Sequence, residues 1–279
     1  LAKIAGRSSE TQLAFATDED VGFSIDPLVN QGDLTDNPLA FFKRLYKYWF
    51  RGQSSGHAVI PEKEGAILAA NHGGLLPFDA SMVVADGILA GQPPRLIRTV
   101  VDRWAGSLPF VNVFYARVGQ VIGSRENVRE LLEAKQLVLI FPEGMAGIRK
   151  RAADRYVLQS FHLGFVEESL RHRVPIIPVA IVGADGQAPL LYDAQPLAKL
   201  LGLPFFPITP TFPLLGPLGL LPYPVRYEIA YGEPFRFHEE FPAETADDPH
   251  AVRYLAEQVR RRIQEMVDQR VMARRAKRA

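Results

Sequence analysis

Short, unbroken apolar runs alternate along the chain with segments in which apolar residues recur every three or four positions. The short runs are typical of buried strands, and the wider period is typical of amphipathic helices. The predicted strands are residues 57–60, 65–70, 94–101, 119–123, 136–141, 174–183 and 225–232. The predicted helices between them are residues 80–90, 124–135 and 160–170. This alternation predicts an α/β fold whose central sheet is largely parallel and is covered by helices on both faces.

The N-terminal part of the chain departs from this pattern. Residues 1–36 are polar and show no sustained period, which predicts a loosely ordered arm. Asn37 and Pro38 are typical of the first positions of a helix. The helix that they open, over residues 37–51, combines many aromatic residues with four cations, so it is predicted to be amphipathic.

The C-terminal end is basic. Asp248 and Pro249 favour the start of a long helix, and we predict a separate helical unit over residues 246–279. Residues 251–279 hold nine Lys or Arg against three acids. The main domain is therefore predicted to occupy residues 37–245.

A stretch within that domain is both apolar and rich in proline. Residues 200–225 carry no charged side chain, and their seven prolines exclude a continuous helix. The stretch is thus predicted to be an apolar insertion. Two interpretations stay open: it dips into a membrane interface, or it covers the sheet internally.

The overall composition excludes several classes of protein. The chain has 279 residues, 47% hydrophobic content and a net charge of +1. This composition excludes a disordered chain and a protein that binds nucleic acid through a high overall positive charge. No apolar stretch is long enough to predict a membrane-spanning helix, and no signal peptide is visible after Leu1. The absence of cysteine excludes disulfides and a cysteine nucleophile, and the six histidines show no metal-ligand spacing.

A histidine and an acid stand at the end of one predicted strand. His72 directly follows the run 65–70, and Asp79 lies where the next helix begins. In α/β proteins, sites form beyond the carboxyl ends of the strands. A histidine there is suited to act as a base, and a carboxylate can hold it in the required tautomer. The alternative is that both residues only cap their strand and helix.

Polar residues follow two other predicted strands. Glu143 and Gly144 come directly after the run 136–141, and the cations Arg149 and Lys150 follow them. A glycine turn beside cations suits a phosphate group, although a solvated basic turn has the same pattern. Arg125 follows a third strand, so three strand ends supply polar groups to a possible site.

The sequence GQSSG at residues 52–56 has the spacing of a serine nucleophile elbow. Such an elbow follows a strand and opens a helix. Here the segment follows a predicted helix and precedes a predicted strand. It is therefore interpreted as a flexible connection.

Four segments in order resemble the sequence blocks of the glycerolipid acyltransferase superfamily, which includes the PlsC-type 1-acylglycerol-3-phosphate acyltransferases. The segments are the NH and D of residues 71–79, GQVIGSREN, FPEG and VPIIPVAI. The resemblance implies transfer of a fatty acyl group from acyl-CoA or acyl-carrier protein to a lipid hydroxyl, without a further cofactor. It implies that His72 is the base, that Asp79 is its partner and that Arg125 contacts the phosphate of the acceptor. It also implies that acceptor binding is shaped by the third block, Phe141, Pro142, Glu143 and Gly144.

The first block departs from the usual pattern of the superfamily. Six residues separate His72 from Asp79 where four are usual, and Pro77 occupies the usual position of the acid. Gly73 and Gly74 provide the freedom to absorb the longer loop, and their N–H groups are candidate oxyanion donors. The departure bears on the acceptor more than on the chemistry.

The expected function is acylation of a lysophospholipid, with lysophosphatidate as the default acceptor. The alternatives are another acceptor (glycerol 3-phosphate, a glycolipid or an aminolipid) or a non-catalytic, membrane-associated lipid-binding protein. The aromatic helix, the apolar insertion and the basic tail predict a peripheral, monotopic protein on the cytoplasmic face of a membrane. Nucleic acid is not an expected partner, because the basic tail lacks interleaved aromatic residues.

Overall fold

The computed structural model describes residues 38–75, 78–101, 121–203 and 205–277. Within these residues, seven strands form one sheet in the order β1-β9-β6-β2-β5-β3-β4. The strands of this sheet are β1 (Gln53–Ser55), β2 (Ala66–Ala70), β3 (Ile97–Val101), β4 (Val121–Ile122), β5 (Leu137–Ile140), β6 (Ile176–Val182) and β9 (Glu228–Tyr231). Two short strands, β7 (Tyr192–Asp193) and β8 (Pro207–Ile208), form a separate antiparallel pair.

The sheet is largely parallel, as the alternation of strands and helices predicts. Strand β2 runs parallel to both of its neighbours, β5 and β6. Strand β9 runs antiparallel to β6, and β1 runs parallel to β9. Consequently β1 and β9 begin at the edge of the sheet where β2 and β6 end.

Helices cover both faces of the sheet. They are α1 (Pro38–Arg44), α2 (Phe78–Leu89), α3 (Arg125–Glu133), α4 (Met145–Ile148), α5 (Gly164–His172), α6 (Gln195–Leu200), α7 (Phe237–Glu240) and α8 (Pro249–Ala276). Helix α1 continues into a π-helical turn, Leu45–Trp49. Ser124 caps α3 by accepting from the Asn127 amide at 3.1 Å, and Asp248 caps α8. The α/β fold class is confirmed.

Two apolar cores lie on the two faces of the sheet. On β2, Ile67 and Ala69 belong to the core formed with α3, α5 and α8, whereas Leu68 belongs to the core formed with α1 and α2. Because both faces of β2 are buried, every residue of this strand is apolar. This burial produces the unbroken run in the sequence.

Two strand predictions need correction. Residues 57–60 are not a strand, because Gly56 turns the chain at a φ of 88° and His57–Val59 forms a 3-10 turn. The strand lies before that turn, at β1, whose residues are polar because it pairs only with β9 at the sheet edge. The alternation of apolar and polar residues over 225–232 predicts a half-buried strand, but Ile229, Ala230 and Tyr231 of β9 are all buried.

The GQSSG segment does not form a nucleophile elbow. Its central residues are strand β1, and the Ser55 hydroxyl accepts a hydrogen bond from Arg270 at 2.6 Å. The segment thus ties β1 to α8.

The predicted end segments are described in part. The N-terminal arm, residues 1–36, and Pro77 lie outside the described residues. The basic C-terminal helix is present as α8. Among the described residues, no helix combines the length and the apolar character needed to span a membrane.

Candidate active site

The site begins where β2 ends. The Asn71 side chain donates to the Ile181 carbonyl at 2.9 Å and accepts from the Ile181 amide at 2.7 Å. These two bonds replace the backbone pairing with β6 at the point where β2 leaves the sheet. His72 is therefore held at a fixed position on the carboxyl edge.

His72 and Asp79 form a hydrogen-bonded pair. The Nδ1 atom of His72 lies 2.5 Å from Oδ2 of Asp79. The same oxygen accepts from the Gly73 amide at 3.0 Å, and the other oxygen accepts from the Ala80 amide at 2.8 Å. Asp79 is fully buried in the first turn of α2, where the helix dipole favours a negative charge. The longer first block thus still brings the two residues together.

The pair fixes how the imidazole can act. When Nδ1 donates to a carboxylate, the neutral ring presents Nε2 as a hydrogen-bond acceptor. The ring stacks on Phe141, with centroids 4.2 Å apart and planes inclined by 24°. On α4, a Cβ at Gly147 would lie only 2.7 Å from the His72 Cβ, so only glycine fits there. His72 is therefore oriented from both sides.

Glu143 holds the loop that carries His72. Its carboxylate accepts from the His72 amide at 2.8 Å and from the Gln159 amide at 2.7 Å. It also pairs with the Lys150 ammonium at 3.2 Å, and both side chains are almost completely buried. With these partners, Glu143 and Lys150 act as positioning residues for the loop that carries His72.

Pro142 and Gly144 shape the turn after β5. The Pro142 carbonyl accepts from the His162 amide at 2.9 Å. Gly144 has a φ of 52°, and a Cβ there would lie 3.3 Å from the His162 imidazole. The backbone conformation therefore requires glycine, and the neighbouring ring leaves only tight space for a larger residue.

The oxyanion role predicted for Gly73 is wrong in this arrangement. Its N–H is engaged by the Asp79 carboxylate. Gly74, at a φ of 83°, packs against the turn that follows β6. A Cβ added at this position would lie 2.1 Å from Nε2 of the Gln187 side chain. Its predicted role as an oxyanion donor stays a prediction.

The predicted phosphate-binding cations are engaged with acids at the surface. Arg125 pairs with Glu167 at 2.6 Å, and its side chain is 68% exposed. Its helix begins after β4, three strands from β2 and hence about 14 Å along the sheet. Arg149 pairs with Asp193 at 2.6 Å. The structure thus does not bring Arg125 next to His72.

The sequence interpretation missed Asp185 and Gln187. Asp185 lies in the 3-10 turn Ala184–Gly186 directly after β6, at the same edge as His72. Burial, with the charges of Glu143 and Asp79, raises its pKa to about 6 although Lys150 opposes the shift. Gln187 is fully buried and accepts from the Tyr227 hydroxyl at 2.5 Å. The strand-end rule that singles out His72 and Glu143 also applies to the end of the run 174–183.

No group of three or more potential metal ligands occurs in the part of the chain that the structure describes.

Comparisons with known proteins find a family model and several relatives. The family model described as Acyltransferase matches residues 52–182, which include His72, Asp79 and Glu143. Uncharacterized proteins of Mycobacterium leprae and Mycobacterium tuberculosis are each 38% identical to the chain over 244 residues, which is 87% of the chain. The chain spans 65% and 67% of the length of these relatives, respectively.

A solved structure shares the fold. It is the crystal structure of the 1-acyl-sn-glycerophosphate (LPA) acyltransferase PlsC from Thermotoga maritima. The match has a TM-score of 0.52 at 18% identity and covers 82% of this chain and 79% of that one. The chain is thus similar to the Acyltransferase family over residues 52–182 and shares its fold with PlsC, which agrees with its resemblance to the glycerolipid acyltransferase superfamily.

Proposed function

We propose that the protein transfers a fatty acyl group from a thioester, acyl-CoA or acyl-carrier protein, to a hydroxyl of a lysophospholipid. The observation that carries this proposal is the buried His72–Asp79 pair, at 2.5 Å, at the carboxyl edge of the sheet. Lysophosphatidate is the reference acceptor, because it is the acceptor that the name of the Thermotoga maritima structure gives.

The chemistry follows from the orientation of His72. Its Nε2 removes the proton of the acceptor hydroxyl while the oxygen attacks the thioester carbonyl carbon. The tetrahedral intermediate then collapses, the C–S bond breaks, and the protonated imidazole returns its proton to the leaving thiolate. The products are an ester and a free thiol. Asp79 stabilises the imidazolium that exists between the two proton transfers.

An apolar surface near the site supports a lipid substrate. Seven leucines of the proline-rich insertion are each at least 39% exposed, and we call them the leucine surface: Leu200, Leu201, Leu203, Leu214, Leu215, Leu218 and Leu221. These exposures disfavour the alternative in which the whole insertion is an internal cover. Exposed apolar clusters of this kind mark interaction surfaces.

The insertion is fastened to the rest of the active-site edge. The Tyr223 amide donates to the Gln187 carbonyl at 2.7 Å, beside the catalytic loop. The Trp49 indole donates to the Pro222 carbonyl at 3.2 Å, and Arg51 donates to the Pro224 carbonyl at 3.3 Å. Trp49 and Tyr48 are themselves exposed, whereas Phe42, Tyr46 and Phe50 are buried in the core. The aromatic helix thus serves both the core and this surface.

We therefore propose a peripheral, monotopic position on the cytoplasmic face of a membrane. The leucine surface and the exposed aromatic residues would enter the interface, and the cations Lys47, Arg51 and Lys199 would contact anionic head groups. The non-catalytic alternative is disfavoured, because the oriented His72–Asp79 pair has no purpose in simple lipid binding.

The direct test is acyl transfer by purified protein to a panel of lysolipids, with acyl-CoA and acyl-carrier protein as donors. His72→Ala is expected to lower kcat by about 10²-fold or more, because it removes the base. His250→Ala is the matched control, since His250 is exposed in the first turn of α8. Equal turnover by wild type and a folded His72→Ala variant would refute the mechanism.

A further inference from the structure

A pocket beside the catalytic loop has no part in the mechanism above. It is a small cleft, open to solvent, with an internal volume of about 10 Å³, which is room for one small polar group. Its lining combines one glycine of the catalytic loop with an acid and three cations: Gly74, Asp185, Lys150, Arg151 and Arg155. The pocket therefore adjoins His72 and is strongly polar.

The acid in this pocket is buried and lacks a partner. Asp185 is 8% exposed, and its Oδ2 atom has no hydrogen-bond partner among the described residues. Buried polar atoms in native proteins are almost always paired, so an unpaired carboxylate oxygen points to a group that is supplied from outside the chain.

The carboxylate is also held close to the catalytic loop. A Cβ at Gly73 would lie 2.9 Å from the Asp185 Oδ2 atom and 3.2 Å from its backbone nitrogen. Glycine at position 73 thus leaves room for this oxygen, which is buried against the loop that carries His72. A group that reaches Oδ2 would therefore lie beside the residue that follows His72.

The cations of the pocket differ in their engagement. The Lys150 ammonium is buried against Glu143, so it is part of the internal framework. Arg151 and Arg155 are exposed at the mouth, where Arg151 contacts Asp154 at 3.1 Å. Exposed arginines at a pocket mouth suit a phosphate group, which a guanidinium can bind through two hydrogen bonds.

We propose that this pocket binds the head group of the acceptor, and that the acceptor is a lysophospholipid with a phosphodiester head group that carries its own O–H or N–H donor. Asp185 accepts the hydrogen bond from that donor, and Arg151 and Arg155 contact the phosphodiester. This inference rests on the proposed function and specifies its substrate class. The raised pKa of Asp185 agrees with a carboxyl group that gains from a new donor.

The test compares four acceptors that differ in the head-group donor. Lysophosphatidylglycerol offers hydroxyls, lysophosphatidylethanolamine offers an ammonium, lysophosphatidylcholine offers a cation without N–H, and lysophosphatidate has no further group. Wild type is expected to prefer one of the first two by about tenfold in kcat/KM, the effect of one hydrogen bond to a charged group. Which of the two is preferred distinguishes a hydroxyl from an ammonium.

Asp185→Ala is expected to abolish that preference mainly through a higher KM for the preferred acceptor, whose kcat/KM should fall toward that of lysophosphatidylcholine. Asp185→Asn keeps the shape and one acceptor oxygen, so it should retain part of the preference. Asp247→Ala, which removes a surface acid paired with Arg171, is the matched control. Thermal unfolding of each variant confirms that it is folded.

A second measurement separates this inference from the proposed function. Binding of the water-soluble head groups glycerophosphoglycerol, glycerophosphoethanolamine and glycerophosphocholine is measured by NMR titration, without any acyl donor. Selective binding that depends on Asp185 supports the pocket even if wild type transfers no acyl group, in which case only the proposed function fails. Equal binding of the three head groups, or an equal loss for all acceptors in Asp185→Ala, would overturn the inference.

Discussion

At the scale of single residues, the site depends on side chains that hold other side chains. Asp79 orients the imidazole of His72, Glu143 fixes the His72 backbone, and Asn71 fixes the end of β2. Glu143 stands in the block that the resemblance assigns to acceptor binding, and its carboxylate contacts the His72 amide, the Gln159 amide and the Lys150 ammonium. His72 is thus positioned by three separate anchors that all belong to the protein itself.

The role of Asp79 is tested by Asp79→Asn. An amide keeps the shape but can hold the imidazole in the wrong tautomer, so kcat is expected to fall by about 10²-fold or more. Steady-state kinetics measure the effect, and Asp247→Asn is the control for the loss of an acid. A loss below about threefold would assign the orienting role to another residue.

At the scale of elements, a second buried hydrogen-bond network is centred on Asp86, near the C-terminal end of α2. Asp86 accepts from the Tyr46 hydroxyl at 2.6 Å, from the Tyr231 hydroxyl at 2.7 Å and pairs with His57 at 2.9 Å. Burial raises the pKa of Asp86, but the hydrogen bonds from His57, Ser54, Tyr46 and Tyr231 outweigh it and hold the pKa below its ordinary value. This network ties the π-helical turn, α2 and β9 together.

The network predicts a pH-dependent contribution to stability. The pKa of Asp86 is lower in the folded protein than in the unfolded chain. Ionised Asp86 therefore stabilises the fold at pH values above its pKa in the unfolded chain, and this stabilisation is lost as the pH falls below about 4. Asp86→Asn is expected to lower the free energy of unfolding by about 3 kcal/mol at pH 7, since it breaks a buried charged network.

Urea unfolding at pH 7 and at acidic pH measures this difference, which should shrink in acid. Asp268→Asn, at an exposed position on α8, is the control. A difference that is constant with pH would show that the charge of Asp86 does not contribute.

The elements also show what sequence patterns can and cannot predict. Burial on both faces gave β2, β5 and β6 continuous apolar runs, so these strands and the residues at their ends were predictable. The direction of β9 was not, because parallel and antiparallel neighbours leave the same apolar pattern. The partners of Asp86 were equally hidden, since Tyr46 and Tyr231 lie 40 and 145 residues away along the chain. The pairing of His72 with Asp79 could not be predicted from spacing alone, because six residues separate them; the prediction needed the superfamily resemblance, and the fold then showed the contact.

At the scale of the whole molecule, the segment that carries the leucine surface connects the end of β6 to the start of β9. Strands β2 and β6 end at the edge of the sheet that carries His72, and β1 and β9 begin there because β9 is reversed. The segments before β1 and β9 are those that carry Trp49 and the proline-rich insertion. The reversal of one strand therefore brings the proposed lipid contacts to the catalytic edge.

The leucine surface predicts a measurable affinity for lipid. The triple variant Leu214→Gln, Leu215→Gln, Leu218→Gln should bind vesicles at least about tenfold more weakly, since each leucine side chain loses its apolar contribution to insertion. Flotation with phosphatidylcholine vesicles, with and without phosphatidylglycerol, measures the binding. These side chains are 85%, 59% and 70% exposed, so the fold should persist.

The matched control is Leu89→Gln, an exposed leucine at the end of α2. If the triple variant and this control bind vesicles as well as wild type, the leucine surface is not the membrane contact.

The hydrogen bond from the Tyr223 amide to the Gln187 carbonyl bears on the distance that a lipid would move between the membrane and His72. This bond connects the insertion to the turn beside His72, so the leucine surface and His72 cannot move apart unless the bond breaks. In the proposed membrane-bound state, a lysolipid would keep its chain in the monolayer while the hydroxyl to be acylated reaches His72. Each round of reaction would then need only a small displacement of the polar part of the lipid, in place of the extraction of a whole lipid.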